Sequence, residues 1–520
     1  IVMPAVFFTI AAFLLNVVLG RLVAAQREQI ASLRALGFPK QLILRHYFKF
    51  VTAIALLGVG LGVVMGRWLA ILVIQSYRAF FRFPVLEAQF DGWIFLVALT
   101  LALASANGAA ALAVLRIARI ALAEAMRPQP PAASRFATRL SLLAGRRVRA
   151  RHLMALRTVL GRPVRTLLTI LGIALSVPLV LFGLFWFDAI AYMLDTTFER
   201  IERGDAFLSF TAPVSRRAVF ELGSTPGVLL AEGQRVVPAR LVSGHRSYLT
   251  SVTGLDEPSD LKVMREADLT PITVPPEGVM LTRRLAERLG LKIGDLVTIE
   301  VLEGKRPVRE VEVVKTSEDL VGLAATMNLK ALNRILGDGD VINAAALKID
   351  PAEARSTWRA IGEIPKVEAN SSKSLWLDLF NQSIAGMIIV GAAVLAGFGL
   401  LITFGVVYNS ARVALQERAW ELASLRILGF TRHEVTLLLL SELAIEVVLA
   451  IPLGLLIGKY LIELIASLRE SETFQIPAVI EPSSYATTAL VVLAAAAASA
   501  YVVHRRIATL DLVSTLKTRD

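Results

Sequence analysis

The chain has 520 residues, of which 55% are hydrophobic and only 19% charged, a membrane-protein composition. It contains no cysteine, which excludes disulfides and thiolate metal sites. The net charge is +12, and in a membrane protein such an excess belongs to basic loops beside anionic lipid, not to nucleic-acid binding.

The chain opens Ile1-Val2-Met3-Pro4, already apolar and without a basic n-region, so we read a truncated start and not a signal peptide. Seven apolar runs reach the roughly 20 residues that cross a bilayer: about 4–23, 50–74, 93–115, 166–187, 384–408, 435–465 and 486–503. Gly58, Gly60, Gly62 and Gly66 are closely spaced in the second run, and their expected role is helix packing. The loop after the first run carries Arg21, Arg27, Arg34, Lys40, Arg45 and Lys49, and the stretch 116–165 is richer still in arginine. Both are expected to be cytoplasmic, as are the loop with Arg412, Arg418, Arg426 and Arg432 and the C-terminal tail. The alternation then puts 75–92, 188–383 and 466–485 outside.

The proline-bearing segment 127–134 marks a linker between two membrane halves. Residues 188–383 form the one large soluble block. Val297–Val301 and Val308–Val314 alternate apolar and polar residues as half-buried strands do, with Glu303-Gly304-Lys305 as the turn between them. Thr282–Leu289, Leu329–Leu336 and Glu353–Gly362 read as helices, which makes this an α+β domain. The expected division is a first three-helix unit over 1–127, a basic linker over 128–164, a span over 165–188, the extracytoplasmic α+β domain over 189–383 and a second unit over 384–520.

Ala31–Phe38 reads A-S-L-R-A-L-G-F and Ala423–Phe430 reads A-S-L-R-I-L-G-F, each between two apolar runs. A block carried twice sets the architecture. Ile30, Leu33 and Leu36, and likewise Leu422, Leu425 and Leu428, recur at helical spacing. Gly37 and Gly429 stand where a helix end needs a left-handed residue. Pro39 suits a first turn, and Thr431 with Glu434 has the spacing of a capping box. Each block therefore reads as a short amphipathic helix, a glycine turn and a second helix entering the membrane. An ordinary basic loop would explain one such block; two in equivalent places point to a shared task. The ends of the halves echo each other too, Ile117–Arg127 resembling Ile507–Lys517, so the repeat covers a three-helix unit in parallel orientation.

The chain has no G-x-x-x-x-G-K-[ST] phosphate loop and no H-E-x-x-H, and its five histidines show no metal-ligand spacing. His245 reads as a surface residue. Glu442 and Glu446, four apart, either line a polar interface or snorkel or pair near the cytoplasmic end.

Glu417-Arg418-Ala-Trp-Glu421-Leu422-Ala-Ser-Leu425-Arg426-Ile-Leu428-Gly429 resembles the E-R-x-x-E-I/L-x-x-L-R-A-L-G pattern of the FtsX-like permeases, the membrane subunits of MacB-type (type VII) ABC transporters. The first copy departs from it, with Gln26 and Gln29 where the second has Arg418 and Glu421. Leu281–Asp295 also resembles that family's periplasmic domain. The resemblance implies a polytopic α-helical membrane protein with a duplicated three- or four-helix permease unit and an extracytoplasmic α+β domain, with no catalytic residues and no metal of its own. In that family each unit has four spans, so the first unit here would lack its opening helix and outer domain. ATP and Mg would be used by a partner ABC ATPase, a homodimer, docking on the helices at 28–37 and 420–429. The residues implied are Glu28, Leu33, Arg34, Leu36, Gly37 and Phe38 in the first copy, and Glu417, Glu421, Leu425, Arg426, Leu428, Gly429 and Phe430 in the second. Implied further are a bacterial inner-membrane location, contact with membrane lipid, and a periplasmic adaptor or substrate lipoprotein as partner. The expected function is ATP-driven export or extraction of a lipid, lipoprotein or hydrophobic compound at the outer face; the alternative is a non-transporting scaffold that activates an envelope hydrolase or sensor. A secondary transporter would want discontinuous helices and midplane ionisable groups, and these spans offer few.

Overall fold

Apolar runs become helices because a segment without water must satisfy its backbone internally. The computed structural model describes residues 12–13, 15, 27–80, 92–118, 159–161, 163–266, 268–320, 322–381, 386–417, 424, 427–468 and 477–509. In it, α1 (Arg27–Ala35) precedes α2 (Lys40–Phe80) and α3 (Gly92–Ala118). Next come α4 (Pro163–Ala174) and α5 (Val177–Asp195), which ends in a π-helical turn (Thr196–Ile201). The later membrane helices, here labelled in advance of those of the α+β domain, are α11 (Gly386–Glu417), α12 (Arg432–Leu468) and α13 (Pro482–Thr509). Six of the seven apolar runs are thus helical, and the seventh, 4–23, lies outside the described residues apart from Ala12, Phe13 and Leu15. Five stretches are long and apolar enough to cross a membrane: Gln41–Gln75, Thr166–Ile201, Ile388–Leu415, Glu434–Ser467 and Pro482–Arg505. The apolar part of α3, Gly92–Gly108, is shorter.

The break between α4 and α5 follows from Pro178, which has no N–H to give the Ala174 carbonyl one helical turn back. The Ser176 hydroxyl turns onto the Ile173 carbonyl (2.7 Å) and meets the Thr403 hydroxyl of α11 (2.6 Å), both groups being buried. Around this break Ile173, Ala174, Val177 and Leu179 pack with Val406, Val407, Val447, Ala450, Val492 and Ala496. Glycines make the approach close. A Cβ on Gly399 would meet the Val180 side chain at 2.5 Å, one on Gly454 the Ala174 carbonyl oxygen at 2.6 Å, and one on Gly183 the Ala392 carbonyl oxygen at 3.0 Å. The glycines singled out from the sequence behave otherwise. Among the described residues, nothing lies within 4 Å of a Cβ position at Gly58, Gly60, Gly62 or Gly66. Spacing alone does not say which face of a helix meets a neighbour. Glu442 and Glu446 of α12 are buried, so neither snorkels to a surface. Lys459 and Glu463 are exposed and pair across one turn at 3.8 Å.

Residues 188–385 make up the body of a separate unit. Its elements are β1 (Ala206–Ser215), α6 (Ala218–Gly223), β2 (Val228–Ser243), β3 (Arg246–Leu255), β4 (Val279–Thr282), α7 (Arg283–Leu289), β5 (Leu296–Val301) and β6 (Val308–Ser317). After these come β7 (Ala325–Asn328), α8 (Leu329–Leu336), β8 (Val341–Ile349), α9 (Ala354–Gly362), β9 (Val367–Ser372) and α10 (Lys373–Phe380). The pairings β2–β3, β3–β7, β7–β4, β4–β6, β6–β5 and β5–β2 close a ring of six strands, filled by Leu241, Val279, Leu281, Val297, Ile299 and Val313 and lidded by Leu285, Leu289 and Leu332. The start of β2 leaves the ring to pair with β8, and β8–β1–β9 continue as an open sheet over a second core with Leu208, Ile342, Leu347 and Ile361. Pro238 sits where β2 has finished with β8, at Gln234, and not yet met β5, at Ala239, so its missing N–H breaks no ladder on that edge. His245 lies exposed in the turn between β2 and β3.

Both passages between this unit and the membrane helices are tied down by charge. The Lys373 ammonium at the start of α10 contacts the Glu199 carboxylate of the π-helical turn at 2.6 Å, and its N–H donates to the Asp205 carbonyl at 2.9 Å. Lys262 contacts Glu202 at 2.7 Å. Burial pulls the Lys262 ammonium down, but the charge and hydrogen bond of Glu202 outweigh it and hold its pKa above the usual lysine range.

Candidate functional site

The first repeated block ends α1 in a closed turn. The Gly37 N–H donates to the Arg34 carbonyl (3.1 Å) and the Phe38 N–H to the Leu33 carbonyl (3.2 Å), the pair of bonds that defines a Schellman motif. Gly37 has φ +90°, a conformation a Cβ would strain, and Gly429 has φ +96°. In both blocks the same bond reaches back four residues: Leu36 N–H to the Ser32 carbonyl and Leu428 N–H to the Ser424 carbonyl, each 3.0 Å. The next helix starts at once. The Pro39 carbonyl accepts from Leu42 and Ile43. At the second block Thr431 and Glu434 form the capping box: the Glu434 carboxylate accepts from the Thr431 N–H (2.8 Å) and hydroxyl (2.9 Å), and the Glu434 N–H donates to the Thr431 hydroxyl oxygen (3.3 Å).

Between helix and turn, apolar side chains are left in the open. Leu36 is 76% exposed and Leu428 75%; Phe38 is 43% and Phe430 44%. Leu33 and Ile427 are exposed as well. Ile30 is not: it is buried against Ile43 and Tyr47 of α2, so the stripe read from the sequence has an inner anchor and an outer knob. Arg34 is half-buried. Glu28 and Glu417 lie on the helical backbones of α1 and α11, while Glu421, Leu425 and Arg426 lie outside the described residues. Sequence reasoning missed Ile427, which stands where the first block has Ala35. Among the described residues no group of three or more His, Asp or Glu side chains is placed to hold a metal ion. The arrangement offers no reacting groups; what it offers is an apolar handle at the foot of a long helix, twice.

The family model described as FtsX-like permease C-terminal matches residues 1–122 and again residues 393–512. The chain thus carries two segments similar to the FtsX-like permease domain. Each match contains one of the blocks and the helix that follows it, so the duplication is a duplication of permease domains. A protein of Mycobacterium tuberculosis (strain ATCC 25618 / H37Rv) named an uncharacterized ABC transporter permease is 24% identical over 206 residues, which cover 38% of this chain and 23% of that relative's length. Two solved structures match about a third of the chain each. The extracellular domain of the noncanonic ABC-type transporter YknZ from Gram-positive bacteria is 13% identical with a TM-score of 0.25, covering 32% of this chain and 98% of its own. The periplasmic region of MacB from Actinobacillus actinomycetemcomitans is 11% identical with a TM-score of 0.27, covering 35% and 95%.

Proposed function

We propose that this permease is the membrane subunit of a bacterial inner-membrane ABC transporter, driven by a separate homodimeric ATPase that grips the knobs Leu36–Phe38 and Leu428–Phe430. The observation that carries the reading is the agreement between the two knobs: the same side chains, on the same glycine turn, exposed to the same extent to within one per cent. A two-fold ATPase needs two like handles, and a duplicated permease supplies them.

A path for the motion is supported by the packing. α12 starts at the Thr431 cap and runs 37 residues, about 55 Å at 1.5 Å per residue, well beyond the roughly 30 Å of hydrocarbon. Near its middle, Gly454 and Gly458 bear on Ala174, Val177 and Leu181. The chain leaves α5 through the π-helical turn into β1, where Glu199 and Lys373 join the outgoing and returning passages. Closure of the ATPase would move α12, and α12 would carry α5 with it. In this reading residues 188–383 work at the outer face on a lipid, lipoprotein or hydrophobic compound, with a periplasmic adaptor as a further partner, and ATP and Mg stay with the ATPase.

The chain has no phosphate-cradling loop, so in lipid discs it should hydrolyse no ATP alone, and should raise ATP turnover when its ATPase is added. Turnover by the chain alone that survives contaminant controls would end this proposal. Sidedness is tested separately. Since the sequence holds no cysteine, Arg135→Cys and Gly304→Cys each carry the sole thiol, and an impermeant thiol reagent on intact cells should label Gly304→Cys and spare Arg135→Cys. Equal labelling would overturn the topology.

A further inference from the structure

α5 closes on a turn of a different pitch. Its last turn, Thr196–Ile201, is a π-helix, in which each N–H reaches five residues back and not four. The Glu202 N–H donates to the Thr197 carbonyl at 2.7 Å. The side chains follow the same step: the Arg200 Nε donates to the Asp195 carboxylate, five residues earlier, at 2.8 Å. In an α-helix Asp195 would face Glu199 instead, two like charges one turn apart. Here Glu199 is drawn away to the Lys373 ammonium at 2.6 Å. Two further bonds hold the turn from outside. The Arg265 Nε donates to the Arg200 carbonyl (3.2 Å), and the Val263 N–H to the Ile201 carbonyl (2.9 Å). Against these stands an unmet demand. The hydroxyls of Thr196 and Thr197 are both buried, and neither has a hydrogen-bond partner among the described residues. Thr100 and Thr487, in α-helices, turn theirs onto the carbonyl four residues back, Leu96 (2.9 Å) and Ser483 (2.8 Å).

We propose that Thr196–Ile201 is a two-state joint: π-helical while Lys373 holds Glu199 and Arg200 holds Asp195, and α-helical when they let go, with the Thr196 and Thr197 hydroxyls then bonded to the Tyr192 and Met193 carbonyls. The balance is local, and every group in it lies within residues 188–385. The charge pairs favour the first state. Two stranded hydroxyls, each costly in a dry site, favour the second. Going from five-residue to four-residue bonds moves the helical step by one residue, about 100° of turn at 3.6 residues per turn. Glu202 then no longer sits opposite Lys262, its bridge partner in the π form. The joint stands where the chain passes from α5 to β1, so whatever turns or pulls α5 acts on it. The inference does not rest on the ATPase reading, and its test uses no ATP.

The reporter is a cysteine pair in a chain that has none of its own. Antiparallel bridge partners hold their Cα atoms about 4.5–5.5 Å apart, within disulfide reach, so Glu202 and Lys262 are the positions to join. The full chain with Glu202→Cys and Lys262→Cys, in lipid discs, should cross-link readily under a mild oxidant, and the rate reads the π state. Lys373→Met keeps the bulk and the N–H bond to the Asp205 carbonyl but removes the charge. Added to the pair, it should slow the reaction about tenfold, the worth of one charge-assisted hydrogen bond. Arg200→Met should slow it likewise. Adding Thr196→Val and Thr197→Val to either should return the rate to within about twofold of the parent pair, because valine keeps the shape and leaves the α form nothing to gain. That return also shows that the slowed variants are folded. A parent pair that does not cross-link, a rate unmoved by Lys373→Met or by Arg200→Met, or a slowed rate that the valines do not restore would each overturn the proposal.

Discussion

Leu428→Asp should leave the protein inserted in the membrane and strip it of its ATPase partner. The side chain is 75% exposed, so the fold loses little. In a partner's groove the leucine would contribute about 1.5–3 kcal/mol, and a carboxylate put there instead costs several kcal/mol more unless it finds a cation. Together these weaken binding by at least about a hundredfold. Gly429→Val acts on geometry instead: φ +96° is closed to a branched residue at a cost of about 1–2 kcal/mol or more, and the turn that aims Leu428 and Phe430 would open. The equal exposure of the first knob predicts losses of the same size for Leu36→Asp and Gly37→Val. Co-purification with the ATPase and stimulated ATP turnover read the effect. Parent-like binding and stimulation by all four variants would reduce the blocks to loops.

Much of this site was legible because it is local. A glycine after a helical stripe, and a threonine three residues before a glutamate, commit the backbone through bonds between near neighbours, and those bonds form as expected at Gly37, Thr431 and Glu434. The hairpin of β5 and β6 and the helix Leu329–Leu336 were legible for the same reason. The closed ring of strands was not. β2 carries Gly233 and Pro238 inside its run, which reads as a break, and only its change of neighbours from β8 to β5 explains why a long strand tolerates them. Helical spacing put Ile30 on one stripe with Leu33 and Leu36 without saying where along that stripe burial stops. The packing glycines were missed on the same ground: Gly58–Gly66 and Gly454–Gly458 look alike in sequence, and only the position of α4–α5 separates a filled face from an open one.

Gly454→Val should be the most damaging single change in the membrane unit. Its Cβ would fall 2.6 Å from the Ala174 carbonyl oxygen, and the branches would press further into the Val177 side chain, also 2.6 Å away. A flexible side-chain tip can swing aside, but a carbonyl at a helix break cannot without moving α4 as a body. Overpacking of this kind costs about 1–3 kcal/mol, and more where backbone is the obstacle. The graded controls follow from the same distances. At Gly458 the nearest atom is the free end of Leu181, 2.8 Å away, so Gly458→Ala should be milder, while Gly60→Ala, with nothing within 4 Å among the described residues, should be near neutral. The measurement is thermal stability and folded yield in detergent, together with ATPase stimulation. Because α12 reaches the outer passages only through this contact in the proposed path, Gly454→Val should lose stimulation even in the fraction that remains folded, whereas a defect confined to yield would place the transmission elsewhere.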